Sequence, residues 1–478
     1  HSVRVSTSLS TNGVWVNPML PLATALHRHP ADAIALIHGD QRWTFAQLEA
    51  RSDEWARWLA GQGATPDALV AFSRPNGPEF LAIAFGIYKA GATPAPISHK
   101  LPQFERDAIL AVMQPALFIT ADDAPDAATG ATPALHIAAS WKACTSGGST
   151  GTPKVIVDGR LAGFAEDMDF IGIPESTPVL VPGPLYHNAP FSAAVFALWK
   201  GCTVITMDRF DAISALQLVA RERVVWAMMV PTMMHRIMAL PDASRDSLDL
   251  SCWKMVVHTA APTARWLKES WIDWLGPDHI WEVYGATEGL VRCWIGGREW
   301  LDWPGSVGRP IGGARLKILD DAGQEVPTGE EGEVYAMPPG GPGSSYHYLG
   351  AERRATADGW ESVGDIGRVD ADGYLFLSDR RSDLIISGGV NIWPAEVEAA
   401  LLRHPAIGSC AVYGVADTDL GETVHAVIET TDAELNAITL SDFLTPWLSR
   451  QKHPRSISLQ STPVRDDAGK FRKIRSPQ

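Results

Sequence analysis

The feature that most constrains the fold is an alternation of short apolar runs with longer amphipathic segments. A helix is predicted to begin after Thr44, because a Thr-x-x-Gln capping pattern precedes apolar residues at helical spacing, and to end near Gly61. The apolar run 69–72, a helical segment over 79–91 and the apolar run 116–120 follow. Strands that alternate with helices are typical of a mostly parallel sheet with helices packed on it. The N-terminal part is therefore predicted to be α/β.

The same alternation returns further along the chain. Residues 215–223 are predicted to be helical and residues 224–230 to form a strand, and a second helix is predicted to begin at Pro231, since proline suits the first helical position. After about Leu290 the composition shifts to glycine, proline and short β-prone pieces, with a hairpin predicted around the Asp-Gly pair at 372–373. A β-rich subdomain is therefore expected to follow the α/β part.

The last part of the chain has an α+β pattern of its own. A helix is predicted to begin at Pro394, followed by strands at 408–415 and 422–429 and by a second helix near 441–450. A segment of this composition can bury a small core by itself.

We therefore predict an α/β fold with two domains. A large N-terminal domain of helix-flanked sheets, with the β-rich subdomain, is predicted over residues 1–380, and a small α+β domain over residues 381–478. The segment 338–345 is rich in glycine and proline and fits either a linker or a loop inside one domain, so no boundary is drawn there.

Composition argues against several classes of protein. The formal net charge of −15 argues against a sequence-independent nucleic-acid binder, which needs a basic surface. The five cysteines lie far apart without a Cys-x-x-Cys pair, so we predict reduced thiols rather than disulfides or a zinc site. There is no apolar run of about 18 residues and no basic leader followed by an apolar stretch, so we expect a cytoplasmic protein without a membrane span.

A stretch rich in glycine and hydroxyl residues is the first candidate site. Its backbone N–H groups and hydroxyls can wrap a polyphosphate, with one lysine as a nearby cation. The spacing differs from that of a Walker A loop, in which lysine directly follows the second glycine. Composition alone favours the alternative of a surface loop. The candidate phosphate-binding residues are Thr145, Ser146, Gly147, Gly148, Ser149, Thr150, Gly151 and Lys154.

Further motifs follow this stretch in order. They are Pro184–His187, Tyr284–Glu288, Gly364–Asp365, 378–398 and Gly469–Lys470. The whole set resembles the adenylate-forming superfamily of acyl-CoA synthetases, non-ribosomal adenylation domains and luciferases, and it is most similar to bacterial acyl-CoA or bile-acid-CoA ligases. The resemblance covers essentially the whole chain, and several spaced motifs in order are more specific than any one of them.

The resemblance implies that a carboxylate attacks the α-phosphate of ATP, giving an acyl-adenylate and pyrophosphate. Glu288 would bind Mg²⁺, a cation that prefers carboxylate and phosphate oxygens, and Thr287 would hydrogen-bond a phosphate oxygen. Without the motif, Glu288 would be interpreted as a solvated surface residue. ATP and Mg²⁺ are therefore the expected co-substrate and cofactor.

The resemblance also implies a nucleoside site. Tyr284 would stack on adenine beside Gly285, and Asp365 would accept hydrogen bonds from both ribose hydroxyls. Arg380 would reach the ribose as well. From the local sequence alone, these residues would instead be a core aromatic, a turn aspartate and an exposed arginine.

Two further residues have implied roles at the reacting carboxylate. Lys470 would bridge the carboxylate and the α-phosphate and stabilise charge in the transition state. Its local sequence also fits an exposed basic tail in which Lys473 competes for the role, but Gly469 marks Lys470 as the motif lysine. His187 would line the carboxylate pocket as a gate rather than act as a base, because a carboxylate is already ionised at pH 7. A structural histidine is the alternative.

A second reaction step is implied because an acyl-adenylate must pass its acyl group to a nucleophile. In the ligases that this chain resembles, the small domain is mobile and rotates between the two steps, which carries the lysine away and brings a glycine-rich turn to the CoA tunnel. Gly388 and Gly389 would line that tunnel, since glycine permits close backbone approach. A tight turn between strands is the structural interpretation of the same pair, and the two are compatible.

The acyl pocket is suggested by two observations. Ala260, Ala261 and Pro262, assigned to the nucleotide-binding set, stand where a more glycine-rich run is usual, which suggests an altered pocket wall. Large apolar residues expected at the pocket favour an apolar or aromatic acid, although such residues also build cores. They are Trp226, Met228, Met229, Met233, Met234 and Trp294.

The predicted function is ATP-dependent activation of a carboxylic acid followed by transfer to CoA. One alternative is an amide bond synthetase, in which an amine takes the acyl group from the acyl-adenylate. Another is a non-catalytic nucleotide or acyl binder, against which the joint retention of Glu288, Asp365 and Lys470 argues. The expected partners are a small carboxylic acid and either CoA or an amine. No nucleic acid is expected as a partner, and the oligomeric state is left open.

Overall fold

The predicted alternation of helices and strands is present in the computed structural model of the chain, which describes residues 19–125, 131–145, 153–467 and 469–471. The candidate phosphate-binding residues Ser146, Gly147, Gly148, Ser149, Thr150 and Gly151 lie outside the described residues. The helices are α1 (Phe45–Gly61), α2 (Pro78–Lys89), α3 (Gln103–Met113), α4 (Asn188–Trp199), α5 (Ala212–Arg221), α6 (Pro231–Met238), α7 (Asp242–Asp246), α8 (Arg265–Leu275), α9 (Gly297–Trp300), α10 (Pro394–Leu401) and α11 (Ala437–Leu444).

The strands alternate with these helices up to about residue 285 and predominate after it. They are β1 (Met19–Pro21), β2 (Ile34–His38), β3 (Gln41–Thr44), β4 (Leu69–Phe72), β5 (Thr93–Pro96), β6 (Leu117–Ile119), β7 (Ala143–Thr145), β8 (Val155–Asp158), β9 (Gly163–Ala165), β10 (Pro178–Val181), β11 (Thr203–Thr206), β12 (Trp226–Met229), β13 (Met255–His258), β14 (Ile280–Gly285), β15 (Arg292–Gly296), β16 (Ser306–Pro310), β17 (Arg315–Leu319), β18 (Gly332–Met337), β19 (Tyr346–Leu349), β20 (Arg354–Ala355), β21 (Glu361–Ser362), β22 (Asp365–Val369), β23 (Leu375–Arg380), β24 (Ile385–Ser387), β25 (Val390–Ile392), β26 (Ser409–Asp417), β27 (Gly421–Glu429) and β28 (Ser456–Gln460).

The helix starts follow local sequence signals. At α1, the Thr44 hydroxyl accepts a hydrogen bond from the backbone N–H of Gln47, and the Gln47 side chain accepts one from the backbone N–H of Thr44. This reciprocal capping box satisfies two backbone donors that the first turn would otherwise leave unpaired. At α6, Pro231 occupies the first turn as predicted.

The chain folds into two compact units. The first unit comprises residues 1–209, 221–228 and 343–352. Within it, β10 pairs in parallel with β11 and β12, and β11 pairs in parallel with β2. A second parallel sheet has the order β5-β4-β6, and β7, β8 and β19 form an antiparallel sheet. The predicted mostly parallel α/β organisation is confirmed for this part.

The second unit comprises residues 210–220, 229–342 and 353–478. It begins with the parallel pair β13 and β14, after which β14, β15, β16, β23, β22 and β18 follow one another as antiparallel neighbours. The predicted hairpin at 372–373 is the connection between β22 and β23, with Gly373 at φ +83°. The β-rich subdomain is therefore confirmed.

The C-terminal segment of the second unit has its own sheet and its own core. β24 to β28 form the sheet, and α10 and α11 contribute to a core that includes Val397, Leu401 and Leu440. The fold class of a large α/β part with a small α+β C-terminal part is therefore confirmed. The predicted boundary at residue 380 lies inside the second unit and stays a prediction.

The last predicted helix is misplaced in the sequence-based assignment. The structure places α11 at Ala437–Leu444, earlier than the predicted 441–450. Asn436 caps its start, since its side chain accepts hydrogen bonds from the backbone N–H groups of Ile438 and Thr439. Pro446 explains the early end, because it has no backbone N–H to donate to the carbonyl of Asp442 and continue the helix.

Candidate active site

Three predicted nucleoside-binding residues meet in the second unit. The pairing of β22 with β23 sets Asp365 directly opposite Arg380. The Tyr284 hydroxyl, on β14, donates a hydrogen bond to Asp365 Oδ2 at 2.6 Å, and Arg380 Nε lies 3.4 Å from Asp365 Oδ1. Both carboxylate oxygens of Asp365 are thus oriented by neighbouring groups. Asp365 itself is buried.

The charged groups of this cluster shift the pKa values of their neighbours. Burial, together with the negative charge of Asp365, raises the pKa of Tyr284 well above its ordinary value, so its hydroxyl stays a donor. Partial desolvation opposes the positive charge of Arg380, whose side chain is 60% exposed, yet the carboxylates of Asp365, Asp383 and Glu288 raise its pKa. Glu288 therefore belongs to the same electrostatic cluster as Asp365 and Arg380.

Glu288 lies in the connection between β14 and β15. The backbone N–H of Gly289 donates to the carbonyl of Ala286 at 3.0 Å, which closes a turn over Thr287 and Glu288. Thr287 is half-buried and Glu288 is buried. Gly285, at the end of β14, packs closely, since a Cβ there would lie 3.1 Å from the carbonyl oxygen of Val291 and a larger residue would need a small shift of that carbonyl.

The donor set at Glu288 fits Mg²⁺ rather than a metal held by protein alone. Among the described residues, no group of three or more His, Cys, Asp or Glu side chains is arranged to hold a metal ion. Mg²⁺ needs no such group in nucleotide sites, since it is usually bound by one or two carboxylates together with substrate phosphates and waters. A single buried carboxylate at Glu288 matches that requirement.

The segment after β13 carries the predicted residues Ala260, Ala261 and Pro262. Ala260 has φ +78°, a left-handed conformation that favours glycine. An alanine at a position where a glycine-rich run is usual therefore carries local backbone strain of about 1 kcal/mol. Ala260 and Pro262 are exposed and Ala261 is half-buried.

Lys470 lies on a short turn near the end of the described chain. Its backbone N–H donates to Asp466 Oδ1 at 2.9 Å, and its carbonyl accepts from the backbone N–H of Asp466 at 3.0 Å. Gly469 has φ +75° and packs near the start of α6, where a Cβ would lie 3.7 Å from Thr232 Oγ1. Lys470 is exposed and lies in the same compact unit as the Tyr284 and Asp365 cluster.

Three predicted residues lie in the first unit. Thr145 ends β7 and pairs with Val155, and Lys154 Nζ donates to the Tyr348 hydroxyl at 3.1 Å. His187 is the residue before α4, and its backbone N–H donates to the carbonyl of Pro184. Thr145 and Lys154 lie on either side of the central part of the candidate phosphate-binding stretch, and His187 is the last residue of the motif Pro184–His187.

Asn76 holds the segment before His187 and was not found by sequence reasoning. Its Oδ1 accepts from the backbone N–H of Leu185 at 2.8 Å, and its Nδ2 donates to the carbonyl of Gly183 at 3.1 Å. The sequence distance between Asn76 and this segment exceeds any local pattern, so only the tertiary structure reveals the contact.

Gly388 and Gly389 form the turn of the hairpin between β24 and β25. Ser387 pairs with Val390, and the two glycines have φ of +56° and +80°. Two left-handed residues in a two-residue loop are the signature of a type I′ turn, which glycine allows without strain. The predicted tight turn is present, and the role at a CoA tunnel stays a prediction.

A buried charged cluster beneath β14 was also missed by the sequence analysis. Lys268 Nζ, from α8, lies 2.5 Å from Glu282 Oε2, and His258 Nε2 lies 3.7 Å from the same oxygen. His258 and Glu282 are paired neighbours on β13 and β14, and the Thr263 hydroxyl lies 3.0 Å from His258 Nδ1. The cluster therefore anchors the strand that carries Tyr284.

His258 is expected to make the stability of the protein depend on pH. Burial lowers the pKa of His258 from 6.5 to about 4, so between these values the unfolded chain binds a proton that the folded chain excludes. The free energy of unfolding should therefore fall by about 1.5 kcal/mol as the pH drops from 6.5 to 5. Denaturant unfolding of the wild type and of His258→Gln across this range measures the effect.

The His258→Gln variant should show a flatter pH dependence over the same range. Glu282 titrates outside this range. Burial raises its pKa, but the charge of Lys268 opposes burial and the pKa stays below 4.5, so the contribution of Glu282 is lost at more acidic pH. An equal slope for both proteins would contradict the assignment of a neutral buried imidazole.

Comparison with known proteins identifies the family of the chain. The chain matches the AMP-binding enzyme family over residues 22–145 and 142–346, and the C-terminal domain of AMP-binding enzymes over 396–460. It is 31% identical over 472 residues to a feruloyl-CoA synthase of an Amycolatopsis species, a match that covers 92% of this chain and 94% of the relative.

Solved structures share the fold. The o-succinylbenzoate CoA synthetase of Bacillus subtilis, in complex with its acyl-adenylate intermediate, superposes with a TM-score of 0.78 at 25% identity, covering 95% of this chain and 97% of the other. An amide bond synthetase from Marinactinospora thermotolerans superposes with a TM-score of 0.76 at 22% identity, covering 95% and 99%, which shows likeness of fold alone. From these matches we conclude that the chain belongs to the AMP-binding enzyme family of adenylate-forming enzymes.

Proposed function

We propose that this enzyme activates a carboxylic acid with ATP and transfers the acyl group to CoA. The observation that carries the proposal is the contact of Tyr284, Asp365 and Arg380, three residues whose predicted roles all concern one nucleotide, with Glu288 in the same unit as a carboxylate that raises the pKa of Arg380. In the first step, a carboxylate oxygen forms a bond to the α-phosphorus of ATP, and the bond to the β-phosphate oxygen breaks to release pyrophosphate.

The difficulty of this step is that two anions must approach each other. Catalysis of such a step depends mainly on positioning and on electrostatic stabilisation. In the proposal, Asp365 holds the ribose hydroxyls, with its carboxylate oriented by Tyr284 and Arg380. The nucleotide is thereby fixed before the carboxylate attacks. Lys470 offers positive charge to the reacting oxygens.

The proposal includes one metal ion. Glu288 would hold Mg²⁺ together with phosphate oxygens of ATP, and the ion would supply neutralisation of phosphate charge when bound. Glu288 is buried, so few water molecules would compete with the ion for its carboxylate oxygens. The other proposed roles, binding the ribose and offering positive charge to the reacting oxygens, belong to residues of the chain itself.

In the second step, the sulfur of CoA forms a bond to the acyl carbonyl carbon, and the bond to the adenylate oxygen breaks to release AMP. The thiol proton passes to solvent. The feruloyl-CoA synthase at 31% identity supports CoA as the acceptor. The type I′ turn at Gly388 and Gly389 also supports it, because its backbone has no side chains to obstruct a pantetheine arm.

The acid is proposed to be aromatic or apolar. Support comes from relatives whose names specify aromatic acids, the feruloyl-CoA synthase and the o-succinylbenzoate CoA synthetase. The apolar residues singled out in the sequence are a weaker argument, since Met229, Met233 and Met234 are fully or almost fully buried, as core residues are.

The acceptor can be tested directly by product analysis. The enzyme is incubated with ATP, Mg²⁺ and a panel of aromatic, aliphatic and steroid acids, with either CoA or a set of amines, and the products are identified by mass spectrometry. We expect a thioester and AMP with at least one acid. If every acid that releases pyrophosphate gives an amide and no thioester, the acceptor is an amine and not CoA.

Removing the Tyr284 hydroxyl is expected to weaken ATP binding. Tyr284→Phe keeps the aromatic ring but removes the donor to Asp365, and a hydrogen bond to a charged group contributes about 1.5–3 kcal/mol. The KM for ATP should rise by about tenfold or more with little change in kcat, as measured by pyrophosphate release.

A matched tyrosine provides the control for this variant. The Tyr374 hydroxyl donates to Glu299 Oε1 at 2.5 Å, which is also a tyrosine–carboxylate hydrogen bond, but outside the nucleotide cluster. Tyr374→Phe should leave the KM for ATP unchanged. Equal effects of the two variants would show that the Tyr284 hydroxyl acts through general stability alone.

A further inference from the structure

We propose that Arg465, held by the carboxylate of Glu398, is a positioning residue for Lys470. The proposal rests on the proposed function, because it concerns the lysine assigned to adenylate formation. Its basis is a hydrogen bond from Arg465 Nη1 to the carbonyl oxygen of Gly469 at 3.0 Å. That carbonyl belongs to the peptide group that leads into Lys470.

The guanidinium of Arg465 is fixed on three sides. Its Nη2 donates to Glu398 Oε1 at 2.6 Å, its Nε donates to the carbonyl of Cys410 at 2.9 Å, and its Nη1 donates to Gly469. These acceptors come from α10, from β26 and from the turn of Lys470. A planar group with several fixed donors can connect three elements in one geometry, which a lysine cannot do.

Glu398 is itself anchored. Its Oε1 also accepts from the backbone N–H of Val412 at 2.9 Å, and 18% of its side chain is exposed. Burial raises the pKa of Glu398, and the charge of Arg465 opposes that effect. The carboxylate and the arginine therefore stabilise each other, and loss of the arginine would remove the positive charge that offsets the desolvation of Glu398.

The turn of Lys470 is closed at both ends. Arg465 and Phe471 form an antiparallel bridge, and Asp466 exchanges backbone hydrogen bonds with Gly469 and Lys470. The Phe471 ring stacks on Tyr413 with centroids 5.8 Å apart. Arg465 thus begins a closed turn that contains Lys470 five residues later. The side chain of Arg465 reaches across this turn to the carbonyl of Gly469.

The turn also contacts the rest of the second unit. Asp467 Oδ1 lies 3.6 Å from Arg236 Nη1, on α6, and Gly469 packs beside Val230 and Thr232. A shift of the Gly469 peptide would therefore move Lys470 relative to α6 as well as relative to its own sheet. A displacement of about 1 Å in a catalytic group can cost up to about 100-fold in rate.

The experiment separates the two half-reactions in Arg465→Met. Adenylate formation is measured as carboxylate-dependent pyrophosphate release, and thioester formation is measured from supplied acyl-adenylate and CoA. We expect adenylate formation to fall by about 10- to 100-fold, with thioester formation within about twofold of the wild type. Arg465→Lys should fall between the wild type and Arg465→Met.

A matched ion pair on the same helix provides the control. Lys452 Nζ lies 2.6 Å from Glu396 Oε2, on α10, and within the described part of the chain its ammonium group pairs with Glu396 rather than with the turn of Lys470. Lys452→Met should leave both half-reactions unchanged. Equal loss of both half-reactions in Arg465→Met, or no loss in either, would overturn the proposal and leave Arg465 with a purely structural role.

A second readout is independent of activity. Amide hydrogen exchange of the described residues 465–467 and 469–471 should accelerate in Arg465→Met and, less strongly, in Glu398→Gln, while the exchange of β26 and β27 stays as in the wild type. Unchanged exchange in the turn would overturn the positioning role even if the wild type released no pyrophosphate. If exchange in the turn accelerates in the variants but the wild type releases no pyrophosphate, the positioning contact stands and the proposed function is contradicted.

Discussion

Replacing Lys470 with alanine is expected to lower adenylate formation by about 100- to 1,000-fold, the range seen when one stabilising donor is removed from a transition state. In the proposal, Lys470 offers positive charge where the carboxylate and the α-phosphate meet, and alanine removes that charge without enlarging any buried cavity, since Lys470 is exposed. Stopped-flow or coupled measurement of pyrophosphate release determines the loss.

The same variant should form thioester from supplied acyl-adenylate at a rate within about twofold of the wild type, because the charged phosphate step is already complete. Lys473→Ala, at the competing basic residue, is the matched control and should leave both steps unchanged. Equal loss of both half-reactions in Lys470→Ala would contradict a role confined to the first step.

Replacing Lys268 with methionine is expected to lower the free energy of unfolding by about 3–5 kcal/mol. The ammonium group of Lys268 lies 2.5 Å from Glu282 Oε2, and both side chains are almost fully buried, so the variant would leave a carboxylate in the core without its cation. In the wild type, burial lowers the pKa of the nearby His258 to about 4, so His258 adds no positive charge beside Glu282 at neutral pH. Chemical denaturation at pH 7.5 measures the loss.

The double variant Lys268→Met with Glu282→Leu tests the cause. It removes both charges, so it should recover most of the lost stability, as replacements of buried ion pairs by apolar groups often do. Arg298→Met, which breaks the exposed pair of Arg298 with Asp278, should cause no measurable change. A double variant no more stable than Lys268→Met would show that packing of the lysine stem, rather than the unpaired charge, explains the effect.

Local signals in the sequence predicted the elements well. The capping box at Thr44, the proline at the start of α6 and the Asp-Gly turn between β22 and β23 each act within a few residues, so the sequence alone reveals them. The helix near the C-terminal end was misplaced because the predicted helix ran through Pro446, which lacks the N–H that a helix needs there, and because the Asn436 cap that starts it was overlooked.

Long-range contacts were beyond the sequence analysis. The register of β22 and β23 sets Asp365 opposite Arg380, and the Tyr284 hydroxyl reaches Asp365 from a strand far away in the chain. The motifs indicated these residues through family resemblance, but no local pattern gives the distances. The same holds for Lys268 with Glu282 and for Arg465 with Glu398, whose partners lie on different elements.

In the structure, Tyr284 has a role that the resemblance did not specify. The motif implied stacking of its ring on adenine, whereas the structure also gives its hydroxyl a partner in Asp365. The two roles are compatible, since ring and hydroxyl are different parts of one side chain. The Tyr284→Phe variant separates them, because it keeps the first and removes the second.

The most direct test of the account is carboxylate-dependent pyrophosphate release from ATP and Mg²⁺ by the wild type and by Asp365→Ala. The central claim is that Tyr284, Asp365, Arg380 and Glu288 together bind the nucleotide on which a carboxylate reacts. We predict pyrophosphate release with at least one aromatic or apolar acid, and a KM for ATP raised by at least about tenfold in Asp365→Ala. No pyrophosphate with any acid of the panel, or an unchanged KM for ATP in the variant, would contradict the claim.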